Sequence, residues 1–257
     1  MVLHFSFPTS GVFMHELRLG SVVVPVLYVD DDIIAVNKPA GLPVFTAPGK
    51  VAGTLTEVAL ASGVTLYEGE GVELPGVVHR LDKDTSGVMV LARSQAGWSC
   101  FKRQLGNHDA QKQYLALVWG TFAEKSGRID VPIGAVHSRG LLLRQADSSG
   151  RPSTTDFEVI QHFGNQASLL RIRIETGRTH QIRVHCSYIG HPVLGDYAYG
   201  YRAQRNVVVG RQMLHAFALS FVVPRSGVEV RVVAPLPQDF ISVLGVLARE
   251  TWTSNPE

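Results

Sequence analysis

Two valine-rich segments, residues 76–78 and 88–92, enclose the nine-residue run His79-Arg80-Leu81-Asp82-Lys83-Asp84-Thr85-Ser86-Gly87. β-Branched runs of this kind read as strands, and the polar stretch between them reads as a tight connection. A fold built on such a unit has to hold one short loop firmly between two strands. That is where a rigid scaffold presents a carboxylate for chemistry, and Asp82 is the candidate. A lone Asp in a loop is most often a turn former or a helix cap. A long fixed string around it carries more weight than a short pattern would.

The rest of the chain is punctuated in the same way. Residues 24–28 and 33–37 are β-rich and separated by Asp30-Asp31-Asp32, the signature of a hairpin turn. Lys38-Pro39-Ala40-Gly41-Leu42-Pro43 enforces an irregular loop. A short helix is predicted over 55–62, ended by Gly63, and another over 95–105, where Trp98, Phe101 and Leu105 share a face. Strands are predicted over 113–119, 154–162, 167–175, 214–223 and 228–233, with helices over 178–188 and 240–249. In 167–175, Leu170, Ile172 and Ile174 alternate with Arg171, Arg173 and Glu175, so one face is buried and the wet face is largely basic. Strands outnumber helices and most connections are short. The expected class is α+β, with a large mixed, mainly antiparallel sheet flanked by helices and loops. Residues 1–20 read as an N-terminal extension or a small strand pair, 21–250 as one catalytic domain and 251–257 as a tail.

Bulk properties narrow the partners. The net charge of +2 over 257 residues excludes a polycation but allows a locally basic surface. Cys100 and Cys186 stand alone, without a CxxC pair or Cys/His cluster, so neither a zinc site nor a disulfide framework is indicated. No apolar run approaches the roughly 18 residues of a membrane span, and residues 1–20 lack the pattern of a signal peptide. A cytoplasmic protein without a membrane partner is expected.

Two more blocks carry candidate chemistry. In Glu175-Thr176-Gly177-Arg178-Thr179-His180-Gln181-Ile182-Arg183-Val184-His185, Gly177 allows a tight turn and Arg178 follows a half-buried strand directly. An arginine pinned near a carboxylate favours its charged form. In Lys112-Gln113-Tyr114-Leu115-Ala116-Leu117-Val118-Trp119-Gly120 a tyrosine enters an apolar strand; on its own that is ordinary packing. A kinase reading of His79-Arg80 fails, because Leu81 displaces the carboxylate and no glycine-rich phosphate loop or Asp-Phe-Gly is present.

Together these blocks resemble the RluA-type pseudouridine synthases, in order from about Tyr28 to Phe221. Supporting text includes Asn37-Lys38-Pro39-Ala40-Gly41, Ile189-Gly190-His191-Pro192-Val193-Leu194-Gly195-Asp196-Tyr197-Ala198-Tyr199-Gly200 and Arg211-Gln212-Met213-Leu214-His215-Ala216, read as scaffolding with His215 structural. Where family members often continue the early loop into His-Pro, this chain reads Pro43-Val44-Phe45-Thr46-Ala47-Pro48. The resemblance implies a short member without an N-terminal S4 domain. It implies that Asp82 is the catalytic residue, that Arg178 is its charge partner and that Tyr114 stacks on the target base. Arg80 would enter the space left by the extruded uridine.

The implied reaction isomerises uridine in a transfer RNA or ribosomal RNA stem-loop. It changes no oxidation state and transfers no group, so no cofactor or metal is expected, and a monomer would suffice. Arg171, Arg173 and Arg183, with Lys102, Arg103 and Lys112, are candidates for phosphate contacts. The rival readings are a non-catalytic RNA-binding module of the same fold and a glycoside or nucleoside hydrolase. The latter usually needs two carboxylates, for which Asp84 is the available second.

Overall fold

The computed structural model describes residues 14–45, 53–138, 141–200 and 209–253. In chain order the elements are β1 (Glu16–Leu19), β2 (Val22–Val29), β3 (Ile33–Lys38), α1 (Leu55–Ala61), β4 (Ser86–Ala92), α2 (Gln95–Gly106), β5 (Gln111–Trp119) and β6 (Ser126–Asp130). They continue with β7 (Ile133–Ser138), β8 (Leu141–Ala146), β9 (Thr154–Phe163), β10 (Ala167–Ile174), α3 (Gln181–Tyr188), β11 (Leu214–Val222), β12 (Glu229–Val233) and α4 (Gln238–Thr253).

Ten strands form one sheet in the order β1-β2-β3-β4-β11-β5-β10-β9-β6, with β12 pairing β11 beside this path. Every pairing is antiparallel except β4 with β11, where His215 and Ala216 lie opposite Ser86 and Gly87. The mixed, mainly antiparallel sheet expected for the chain is therefore present. β7 and β8 form a separate two-stranded ribbon.

Strand alternation sorts the core into two faces. Ile34, Val36, Met89, Leu91, Tyr114, Ala116 and Ile172 face one way and pack with Leu55 and Val58 of α1 and Ile182 of α3. Ile33, Ala35, Val88 and Val90 face the other way, against Phe101 of α2, while Leu115 and Leu117 meet Phe240 and Leu247 of α4. Burial on both faces is why β3 and β4 read as continuous apolar runs.

Local signals set the boundaries. Thr54 and Glu57 form a reciprocal capping box at the start of α1, with Thr54 N–H donating to Glu57 Oε2 at 2.9 Å and Glu57 N–H to Thr54 Oγ1 at 3.2 Å. Asp30 Oδ1 accepts from the N–H groups of Asp32 and Ile33 at 2.8 Å, closing the turn between β2 and β3. β1 pairs with β2 from Glu16 to Leu19, so part of the expected extension belongs to the sheet; residues 1–13 lie outside the described ones. α4 runs past the expected domain end at 250, to Thr253.

Candidate active site

The loop ahead of β4, in mid-sheet, is fixed from several sides. His79 Nε2 accepts from Val90 N–H at 3.0 Å. Burial lowers the His79 pKa to about 3, with Lys112 and Lys102 adding to the shift, so the ring is neutral and able to accept. Leu81 is buried in the core with Val36 and Tyr114. Lys38 is fully buried, and its ammonium donates to the carbonyls of Pro39, Leu42 and Lys83 at 2.8–2.9 Å. Burial draws its pKa down to about 7 against the pull of Asp84. Arg211, also buried, gives Nη1 to the carbonyls of Asp84 (3.0 Å), Gln212 and Leu214, and holds Asp239 of α4 through Nε at 2.6 Å. Two buried basic side chains thus hold the backbone just after Asp82, at the Lys83 and Asp84 carbonyls.

Asp82 opens into a cavity that it shares with Arg80, Tyr114, Arg178, His180 and Arg183. Its side chain is 18% exposed and accepts a hydrogen bond from Arg183 Nη1 at 3.0 Å. Arg183 is in turn clamped by Asp196, through Nε–Oδ2 at 2.6 Å and Nη2–Oδ1 at 2.9 Å, and lies 5.0 Å over the Tyr199 ring. Burial opposes the guanidinium's charge, but Asp196 and Asp82 more than offset it and raise the pKa above the ordinary arginine value. Asp196 Oδ1 also accepts the N–H groups of Ala198 and Tyr199, so that its demands are met within the fold.

His180 Nε2 is 3.8 Å from Asp82 Oδ1, while its Nδ1 meets the Tyr199 hydroxyl at 2.7 Å. Burial lowers its pKa although Asp82 pulls the other way. Its backbone is left-handed, with φ +58°, an uncommon state for a residue other than glycine and one found at functional sites. Tyr114 is buried beside the cavity; burial, then the Asp82 charge, raises its phenol pKa. Its hydroxyl bonds no described residue. Arg80 is exposed, with its guanidinium 4.8 Å over the Phe45 ring.

The arginine pairing differs from the sequence expectation. Arg178, expected at Asp82, instead donates its Nε to the Pro152 carbonyl at 3.2 Å. The reason is the start of α3: it opens at Gln181 rather than 178, leaving Arg178 in the preceding turn. Gln181 fixes that turn by accepting from Arg178 N–H and Thr176 Oγ1 and donating to Thr154 O and Thr155 Oγ1. The first helical turn then carries Arg183 inward. Arg183, expected on a phosphate, is buried and satisfied by two carboxylates instead.

Arg171 and Arg173 project from the face of β10 opposite Ile172, which pairs with Tyr114, so they point away from the Tyr114 face. Arg171 is paired with Glu158 at 2.7 Å. Lys102 and Lys112 line a neighbouring hollow with Arg80; burial, then Arg178, lowers the Lys112 pKa to about 8. Arg103 lies against Cys100. Asp196 and Tyr199 were visible in the sequence only as scaffolding. A buried acid downstream of a helix with two candidate arginines was the available signal, but it does not say which arginine turns inward.

The fold and this arrangement agree with what the chain is similar to. A family model described as RNA pseudouridylate synthase matches residues 32–188, which include Asp82, Tyr114 and Arg183. The chain is 39% identical over 219 residues to the uncharacterized RNA pseudouridine synthase YlyB of Bacillus subtilis (strain 168), covering 85% of this chain and 71% of that one. Over 237 residues it is 38% identical to ribosomal large subunit pseudouridine synthase D of Vibrio parahaemolyticus, covering 88% and 71%. The solved structure of human RNA pseudouridylate synthase domain containing 1 superposes with a TM-score of 0.69 at 28% identity, over 91% of this chain and 96% of that one. The chain belongs to the RluA-type RNA pseudouridine synthases, isomerases that convert uridine to pseudouridine in RNA.

Proposed function

We propose that Asp82 carries out the isomerisation and that the substrate is a uridine in a structured RNA, with large-subunit ribosomal RNA ahead of transfer RNA. The observation that carries the first part is the Asp82 carboxylate itself. One oxygen is held by Arg183, the carboxylate lines a cavity shared with Tyr114, and no other acid among the described residues lines that cavity. The reaction breaks the bond from N1 to the ribose, forms one from C5 to the same ribose carbon, and moves a proton from C5 to N1. No atom is gained or lost. A carboxylate serves by attacking the sugar or the base covalently, or by removing a ribose proton to give a glycal. Tyr114 would stack on the detached base, and Arg80 would fill the space left by the extruded nucleotide.

A single free carboxylate argues against the hydrolase reading, since most glycoside hydrolases place two across the scissile bond. Asp196 is no second acid, because Arg183 and two backbone N–H groups occupy its oxygens. The preference for ribosomal RNA rests on the likeness to the Vibrio protein.

The test has two arms. Carbodiimide mapping of both RNA classes, from cells with and without the gene, should show a pseudouridine lost from large-subunit RNA. Loss from transfer RNA alone would overturn the ribosomal preference. With the purified protein and that RNA, Asp82→Asn should lower tritium release from labelled uracil by more than about 10³-fold, as loss of a nucleophile does elsewhere. Near-normal release by the Asn variant would remove Asp82 from the chemistry.

A further inference from the structure

A second hollow adjoins the Asp82 cavity, and the turn Gly177-Arg178-Thr179 is the wall between them, facing both. Its other side is the β7–β8 ribbon with the segment that follows it. We propose that this hollow is a phosphate site, built by Arg144, Arg151 and Arg178, that holds the RNA backbone next to the target uridine. The inference rests on the RNA-modifying reading above.

Three separate segments bring the arginines together, and each is tied down. Arg144 lies in β8 opposite Ala135, whose small side chain leaves the hollow open. Arg151 exchanges two backbone hydrogen bonds with Ile133 at 3.0 Å, which pins it to the base of the ribbon. Arg178 is held by its N–H to Gln181 Oε1 and by its Nε to Pro152, the residue after Arg151. Among the described residues, neither terminal nitrogen of Arg178 has a partner, and the side chains of Arg144 and Arg151 have none.

Several other surface arginines are neutralised where these three are not. Arg18, Arg128, Arg171 and Arg225 each meet a carboxylate. No acid among the described residues lines the hollow. Asp147 lies behind Gly134, with Oδ1 accepting the N–H and hydroxyl of Ser149 at 2.9 and 2.7 Å and Oδ2 beside Gly134. Three arginines that line one hollow, none in a salt bridge with a described carboxylate, repel one another until an anion arrives. Their planar donors suit phosphate oxygens. The ribbon also reaches the site directly: Arg144 N–H donates to the Tyr199 hydroxyl at 3.0 Å, and that hydroxyl meets His180 Nδ1.

The test measures binding of a stem-loop, taken from the mapped target RNA, across a salt series. Arg144→Gln combined with Arg151→Gln should lower the slope of log affinity against log salt by about 1.4–1.8, the release expected for two phosphate contacts. Turnover at saturating RNA should stay within about two-fold, and the melting temperature should be unchanged. Arg171→Gln with Arg173→Gln should leave the slope as it is in the wild type. An unchanged slope in the first pair, or a drop confined to the second, overturns the site. Inorganic phosphate substituted for chloride at equal ionic strength should compete better against the wild type than against the variant, because it occupies the same arginines. Saturable phosphate competition in the wild type with no change of slope in the variant would give the hollow to a free phosphate and overturn the RNA assignment. If the wild-type protein forms no pseudouridine in any RNA, the functional reading fails on its own, and the same slope comparison on a generic RNA stem-loop still decides the site.

Discussion

Asp82, Arg183 and Asp196 form a chain of charges, minus–plus–minus, in which the middle member serves two ends. With its side chain 9% exposed, Arg183 satisfies a wholly buried acid on one side and aims a cavity-facing acid on the other. Arg183→Met should therefore have two effects. Turnover should fall by about 10²-fold or more, because a misplaced reacting group costs that much, and stability should fall by about 3–5 kcal/mol, because Asp196 is left buried and unpaired. Arg178→Met should do neither; its loss should appear in RNA affinity and its salt dependence. Single-turnover rates at saturating enzyme, beside urea unfolding curves, separate the two variants, and a reversed ranking would sink this account of the pair. Asp82 and Tyr114 stood out in the sequence through the long strings around them, and the structure brings both to one cavity. The choice between Arg178 and Arg183 was not, because it depends on where α3 begins. That boundary is set by Gln181 bonding across to Thr154 and Thr155, contacts between segments 26–27 residues apart.

Strands with one clear period, or with both faces buried, were readable within a residue or two: β3, β5, β9, β10 and β11 all fall near their expected limits. β6, β7 and β8 were not foreseen. β6 is five residues with Gly127 near its start, and it gains its identity by pairing with β9. β7 and β8 form a two-stranded sheet of their own, joined beyond it by the Ile133–Arg151 bridge, so no burial on a large sheet imposes a strong alternation. The parallel contact between β4 and β11 was equally hidden, and it has a visible requirement. Gly87 has φ +118°, and a Cβ there would lie 2.2 Å from the Ala216 carbonyl oxygen. Gly87→Ala should push the two strands apart next to the Asp82 loop and combine that clash with about 1–3 kcal/mol of backbone strain. Its melting temperature should drop by several degrees, and turnover should fall further than thermal loss explains. A variant with wild-type melting and turnover would show that the close approach is not needed.

For the molecule as a whole, one side of the sheet gathers what an RNA hairpin would have to touch. α1 and α3 pack on the face that carries Tyr114, the Asp82 cavity lies there, and the Arg144–Arg151–Arg178 hollow shares its wall. Arg80 sits between this cavity and the hollow lined by Lys102 and Lys112, exposed and resting on Phe45. Binding and chemistry are thus adjacent, and an isolated stem-loop spanning the target uridine should be a competent substrate. Arg80→Ala separates base extrusion from chemistry. If Arg80 occupies the vacated space, the variant should lose far more rate on a paired or stacked uridine than on one in a flexible loop, where unstacking has a smaller penalty; the full difference is a few kcal/mol. Single-turnover rates on two stem-loops that differ only in the pairing of the target give the comparison. Equal losses on both would assign Arg80 to the chemical step or to affinity. An enzyme inactive on every isolated stem-loop of its mapped target, yet active on the full-length RNA, would mean that recognition extends beyond this face.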